Sequence, residues 1–74
     1  MTKERHNVQQ GQILLGGTAL RCRVRYLTPT SATIQTWDAP VIPSAFSLRV
    51  PNAGLDARCQ VLWRDERRLG VTFI

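Results

Sequence analysis

Residues 19–27 read ALRCRVRYL, and their alternation decides the fold. Leu20, Cys22, Val24 and Tyr26 take one set of positions, and Arg21, Arg23 and Arg25 take the other. A β-strand sends successive side chains to opposite faces, so a period of two places the first set against a core and three guanidinium groups in water. A helix, with its 3.6-residue period, would scatter both sets around its axis.

The same alternation continues downstream. Thr28-Pro29-Thr30-Ser31 reads as a turn, with Pro29 presetting φ. Residues 32–37 (ATIQTW) are rich in Thr and Ile and alternate, as a strand does. A Pro-containing connection leads to Phe46, Leu48 and Val50, which alternate with Ser47 and Arg49, and Pro51-Asn52-Ala53-Gly54 is a hairpin signal. In 57–64 (ARCQVLWR), Cys59, Val61 and Trp63 are expected on one face and Arg58, Gln60, Leu62 and Arg64 on the other. After the charged turn at 65–68, Leu69, Val71 and Phe73 mark a last strand. Upstream, Ile13-Leu14-Leu15 form a short strand ending at Gly16-Gly17, and residues 1–11 are polar and aperiodic, which predicts a flexible arm. Some six short strands and no sustained helical period predict an all-β domain over residues 12–74. The economical solutions are a small six-stranded antiparallel barrel or a two-sheet sandwich. Closure into a barrel also removes aggregation-prone edges.

The chain has 74 residues, enough for one modest core and too few for a second domain or most enzyme architectures. Its net charge is +5, and residues 1–37 hold +4 of it, so an anion-attracting face is expected in the first half. The one histidine, His6, lies in the arm, and the acids sit in turns or, as Glu4, in the arm. No Ser-His-Asp set, acid pair or phosphate loop can be assembled, so no enzyme activity, metal or cofactor is expected. Cys22 and Cys59 fit neither a disulfide framework nor a zinc site and read as buried free thiols of a reducing compartment. No apolar run reaches the length of a membrane span, and the basic start lacks an apolar h-region, so the expected location is the cytoplasm.

The arginine ladder 21/23/25 has two readings: a solvated strand face that resists aggregation, or a surface that contacts phosphate through guanidinium forks. Arginines interleaved with aromatic rings would suit single-stranded nucleic acid. Tyr26, Trp37 and Trp63 are the available rings, but Tyr26 and Trp63 fall on the apolar side of their strands and are expected in the core, which places nucleic acid behind other partners.

From Cys22 to Phe73 the chain resembles a PilZ domain, the bacterial receptor module for cyclic di-GMP. The residues that carry the resemblance are Cys22-Arg23-Val24-Arg25-Tyr26-Leu27-Thr28, Ala32-Thr33-Ile34, Pro43 to Phe46, Cys59-Gln60-Val61-Leu62-Trp63-Arg64 and Leu69-Gly70-Val71-Thr72-Phe73. Ile13-Leu14-Leu15-Gly16-Gly17 looks like the family's first strand. The resemblance implies a β-barrel, a place in cyclic di-GMP signalling, and ligand residues at two motifs. The family's RxxxR falls on Arg5-His6-Asn7-Val8-Gln9, with Gln9 in place of the second arginine. Its [D/N]xSxxG falls on Tyr26 to Ser31, with Tyr26 for the acid or amide, Thr28 for serine and Ser31 for glycine. Arg5, Gln9, Arg25, Tyr26, Thr28 and Ser31 are therefore the candidate ligand residues. Losing the second arginine removes a charge-assisted contact worth about 1.5–3 kcal/mol. Tyr26 cannot accept from a guanine edge as a carboxylate does, and Ser31 adds a Cβ where glycine permits close approach, so micromolar affinity would fall toward millimolar. Two roles follow from the resemblance: an adaptor that has weak or lost cyclic di-GMP binding and acts through a protein partner, or a receptor in which Arg5 and nearby arginines replace the missing one.

Overall fold

A computed structural model describes residues 8–74, which form a closed antiparallel barrel of six strands. The strands are β1 (Gln9–Leu15), β2 (Thr18–Arg25), β3 (Ser31–Gln35), β4 (Ala45–Val50), β5 (Leu55–Arg64) and β6 (Arg68–Phe73). Their order around the barrel is β1-β2-β3-β6-β5-β4, and β1 pairs with β4 through Gln12–Arg49, Ile13–Leu48 and Leu14–Ser47 to close it. The six-stranded all-β barrel expected from the alternation is therefore the fold. Two short 3₁₀ turns, Ala39–Val41 and Pro51–Ala53, flank β4.

The turns follow their residue chemistry. Leu15 pairs with Thr18, so Gly16-Gly17 is a two-residue hairpin loop, and Gly16 takes a left-handed φ of 57°. Gly54 caps the second 3₁₀ turn at φ 63°. In the β5–β6 turn, Asp65 Oδ1 accepts the backbone N–H groups of Arg67 and Arg68 at 3.0 and 2.7 Å, while Arg68 Nε and Nη2 donate to Oδ2 at 3.0 and 2.8 Å. These bonds, led by the Arg67 N–H, hold the Asp65 carboxyl below the ordinary carboxylate range.

The core is Ile13, Cys22, Val24, Ala32, Ile34, Ala39, Ile42, Phe46, Leu48, Val50, Cys59, Leu69 and Val71. Every strand contributes its inward set, so the barrel interior is filled by side chains. Both cysteines are free and buried.

Three expectations are corrected. First, β1 starts at Gln9, so residues 9–11 belong to the barrel and not to an arm; residues 1–7 lie outside the described residues. Gly11 is what lets β1 pack there. A Cβ on it would stand 2.8 Å from Val24 Cγ2, 3.2 Å from Cys22 Sγ and 3.3 Å from the Arg49 carbonyl oxygen. Second, Tyr26 is 57% exposed instead of buried. β2 ends at Arg25, and Tyr26 takes φ 51°, the left-handed region, which turns the chain out of the alternation. Third, Trp63 is exposed as well. The β5–β6 register shifts between Val61, opposite Val71, and Trp63, opposite Gly70, so Leu62 has no residue opposite it. One extra residue reverses the facing of all that follows. Trp63 thus lies outside over Gly70, while Arg64 takes the inward parity of its partner Leu69. Arg64 Nη1 then donates to the Ala39 and Ile42 carbonyls at 2.8 and 2.7 Å, pinning the connection before β4.

Candidate ligand-binding face

The outward sets of β2, β3 and β6 make one surface. Arg23 pairs with Gln35 and Gln35 with Arg68, giving a row of polar side chains across three strands. The next row is Arg25, Thr33 and Gly70, with the Trp63 indole covering the glycine. Past the end of β3, the Thr36 N–H donates to the Arg67 carbonyl at 2.8 Å and extends the ladder by one step. That step brings the Arg67 guanidinium over Trp37, 4.2 Å from the ring centroid, which is cation–π distance.

Two clefts of about 540 and 330 Å³ open on this surface. Arg21, Arg23, Gln35, Trp37 and Arg67 line the larger, together with Gln10, Cys22 and Thr36. Arg25, Tyr26, Thr33, Gln35, Arg67 and Arg68 line the smaller. Gln35 and Arg67 belong to both, so the clefts are halves of one groove. No carboxylate lines either. Among the described residues the ion pairs are Arg49–Asp56 and Arg68–Asp65, and Arg21, Arg23, Arg25 and Arg67 enter neither. Arg25 Nε is buried without a hydrogen-bond partner among these residues, the kind of unsatisfied donor that usually costs about 1–3 kcal/mol.

The candidate residues are not gathered in one place. Arg25 and Tyr26 line the smaller cleft. Thr28 and Ser31 are absorbed by the β2–β3 turn: Thr28 Oγ1 accepts the N–H groups of Thr30 and Ser31 at 3.2 and 3.0 Å and lies 2.9 Å from Ser31 Oγ. Gln9 sits half-buried in β1 opposite Val24, and Arg5 lies outside the described residues. Sequence reasoning singled out Arg21 and Arg23 but missed Gln35 and Arg67. A charged-turn residue gives no sign of its neighbour until β3 and β6 pair.

The groove can hold anions and stack planar rings. The described residues include no cluster of His, Cys, Asp or Glu able to hold a metal, and no helix long and apolar enough to cross a membrane. The Cys22 thiol, at the floor of the larger cleft, is pushed up to about 12 by burial and by Cys59, and is a poor nucleophile there. Comparison with protein-family models, curated proteins and solved structures finds no match.

Proposed function

We propose that this chain is a PilZ-like, non-catalytic barrel of bacterial cyclic di-GMP signalling, with weak or lost affinity for the dinucleotide, that acts by protein contacts. The observation that carries this reading is the self-closed β2–β3 turn. Thr28 and Ser31 stand where the resemblance places ligand residues, and their hydroxyls satisfy the turn and each other. A ligand would have to break those bonds before gaining its own, which offsets much of the gain. Protein contact is supported by large apolar side chains left in water: Val41, Leu62, Trp63 and Ile74.

A second reading, a working receptor, is favoured by the smaller cleft, which gathers Arg25, Arg67 and Arg68 with Tyr26. Calorimetric titration of the full chain with cyclic di-GMP separates the two. The adaptor reading expects a Kd of millimolar or weaker; micromolar binding that disappears on Arg5→Ala would overturn it in favour of the receptor.

A further inference from the structure

We infer that the larger half of the groove, between β2 and the end of β3, is a binding site for single-stranded nucleic acid. None of the six candidate dinucleotide residues lines it, and one of them, Arg25, continues its arginine ladder into the smaller half. Strand parity alone assigns two of the three rings to the core and so disfavours nucleic acid. In the fold, all three lie on the surface, and Trp37 is 77% exposed.

Charge, spacing and stacking agree on the ligand. Arg21, Arg23 and Arg25 project from one face of β2 at every second residue, roughly 6.7 Å apart from the rise of a strand. Consecutive phosphates of an extended single strand have a similar spacing, so a polynucleotide lying along β2 meets one guanidinium per phosphate. A duplex can offer phosphates to the same ladder, but its bases are already paired and stacked on one another and do not reach a ring, so the ring beside the ladder favours a single strand. Trp37 stands at one end of this row, and Arg67 supports its ring from one side. The exposed remainder offers a base a stacking platform that every base can use, because each has a π-face. Gln35 lies in the groove floor between ring and ladder. With no carboxylate lining the groove, nothing there repels the strand.

The test uses the full chain and a fluorescein-labelled ten-residue oligothymidylate, read by anisotropy, together with quenching of tryptophan emission by the unlabelled oligomer. Binding at low salt is expected, with log K falling against log salt at a slope of about −2, the value for three phosphates on a single strand. Arg21→Gln with Arg23→Gln should weaken binding and bring the slope to about −0.7. Trp37→Ala should weaken binding about 10-fold, abolish most of the quenching and leave the slope unchanged. Arg58→Gln, on another part of the barrel, should leave the slope within error. These substitutions fall on exposed side chains, and far-UV circular dichroism checks their folding. The inference is overturned by no binding at 20 mM salt, by equal affinity for a duplex of the same length, or by inorganic polyphosphate quenching tryptophan as strongly as the oligomer. Cyclic di-GMP titration does not enter this test, so either proposal can fail alone.

Discussion

Gly70→Ala isolates the contact that the β5 bulge creates. Gly70 is buried in β6, its φ lies outside the left-handed region, and a Cβ built on it would fall inside the Trp63 indole. The backbone therefore tolerates alanine, and only the ring objects. Trp63 is 46% exposed, so about half its surface is covered, and the seat over Gly70 is part of that cover. A fully buried tryptophan removes about 150–250 Å² from water. Half of that, at about 25 cal/mol per Å², is worth roughly 2–3 kcal/mol. The Arg68 guanidinium 5.9 Å from the ring centroid adds a cation–π contribution of about 0.5 kcal/mol. Gly70→Ala should lift the ring off and cost about 2–3 kcal/mol in urea unfolding, with tryptophan emission shifted to the red. In a Trp63→Ala background the ring that the new Cβ would strike is gone and the substitution replaces a mid-strand glycine with alanine, so it should be neutral or stabilising by about 0.5–1 kcal/mol. The effect thus changes sign between backgrounds, a coupling of about 3 kcal/mol in a double-mutant cycle. Equal costs in both backgrounds, within about 0.5 kcal/mol, would refute the bulge-seated ring and the outward facing of Trp63.

Two further outcomes follow from the packing. Gly11→Ala should destabilise by about 1–3 kcal/mol, because the Arg49 carbonyl behind it belongs to the β1–β4 seam and cannot rotate away; an unchanged urea midpoint would show that β1 does not pack against that seam. Burial raises the Cys22 thiol to about 12 and the Cys59 thiol to about 11, from an ordinary value of 9.0. Above pH 9 the unfolded chain loses thiol protons that the folded chain keeps. Their contribution is therefore complete below pH 9 and is lost as pH rises toward 11–12, by up to about 1.4 kcal/mol per pH unit for each thiol. Unfolding measured at pH 8.5 and 10 should show Cys22→Ala losing less stability than the parent; parallel losses would refute this.

Much of the barrel was legible because parity on a strand is a local property. Leu20 to Val24, Phe46 to Val50 and Leu69 to Val71 each repeat a period of two, and each sends its apolar set inward as that period requires. The reading failed at Gly11, Tyr26 and Trp63, for reasons that are not local. Gly11 looks like an arm residue because it has no side chain to alternate, yet the closing seam of the barrel needs that absence. Tyr26 continues the apolar series by one letter, but a left-handed φ ends the strand before it. Trp63 belongs by count to the core, and no Gly or Pro beside Leu62 announces the slip; what admits it is the glycine opposite, seven residues on across a turn. Two of these failures move rings from the core to the arginine-bearing surface, and Trp37 joins them there through a backbone bond between β3 and the β5–β6 turn. The sequence pattern thus located the cationic face and assigned two of its rings to the wrong side of the wall. Strand parity is what a core demands, and departures from it survive where another requirement outweighs packing. Here they put aromatic rings beside arginines, which is the combination that a ligand with both phosphates and bases would use.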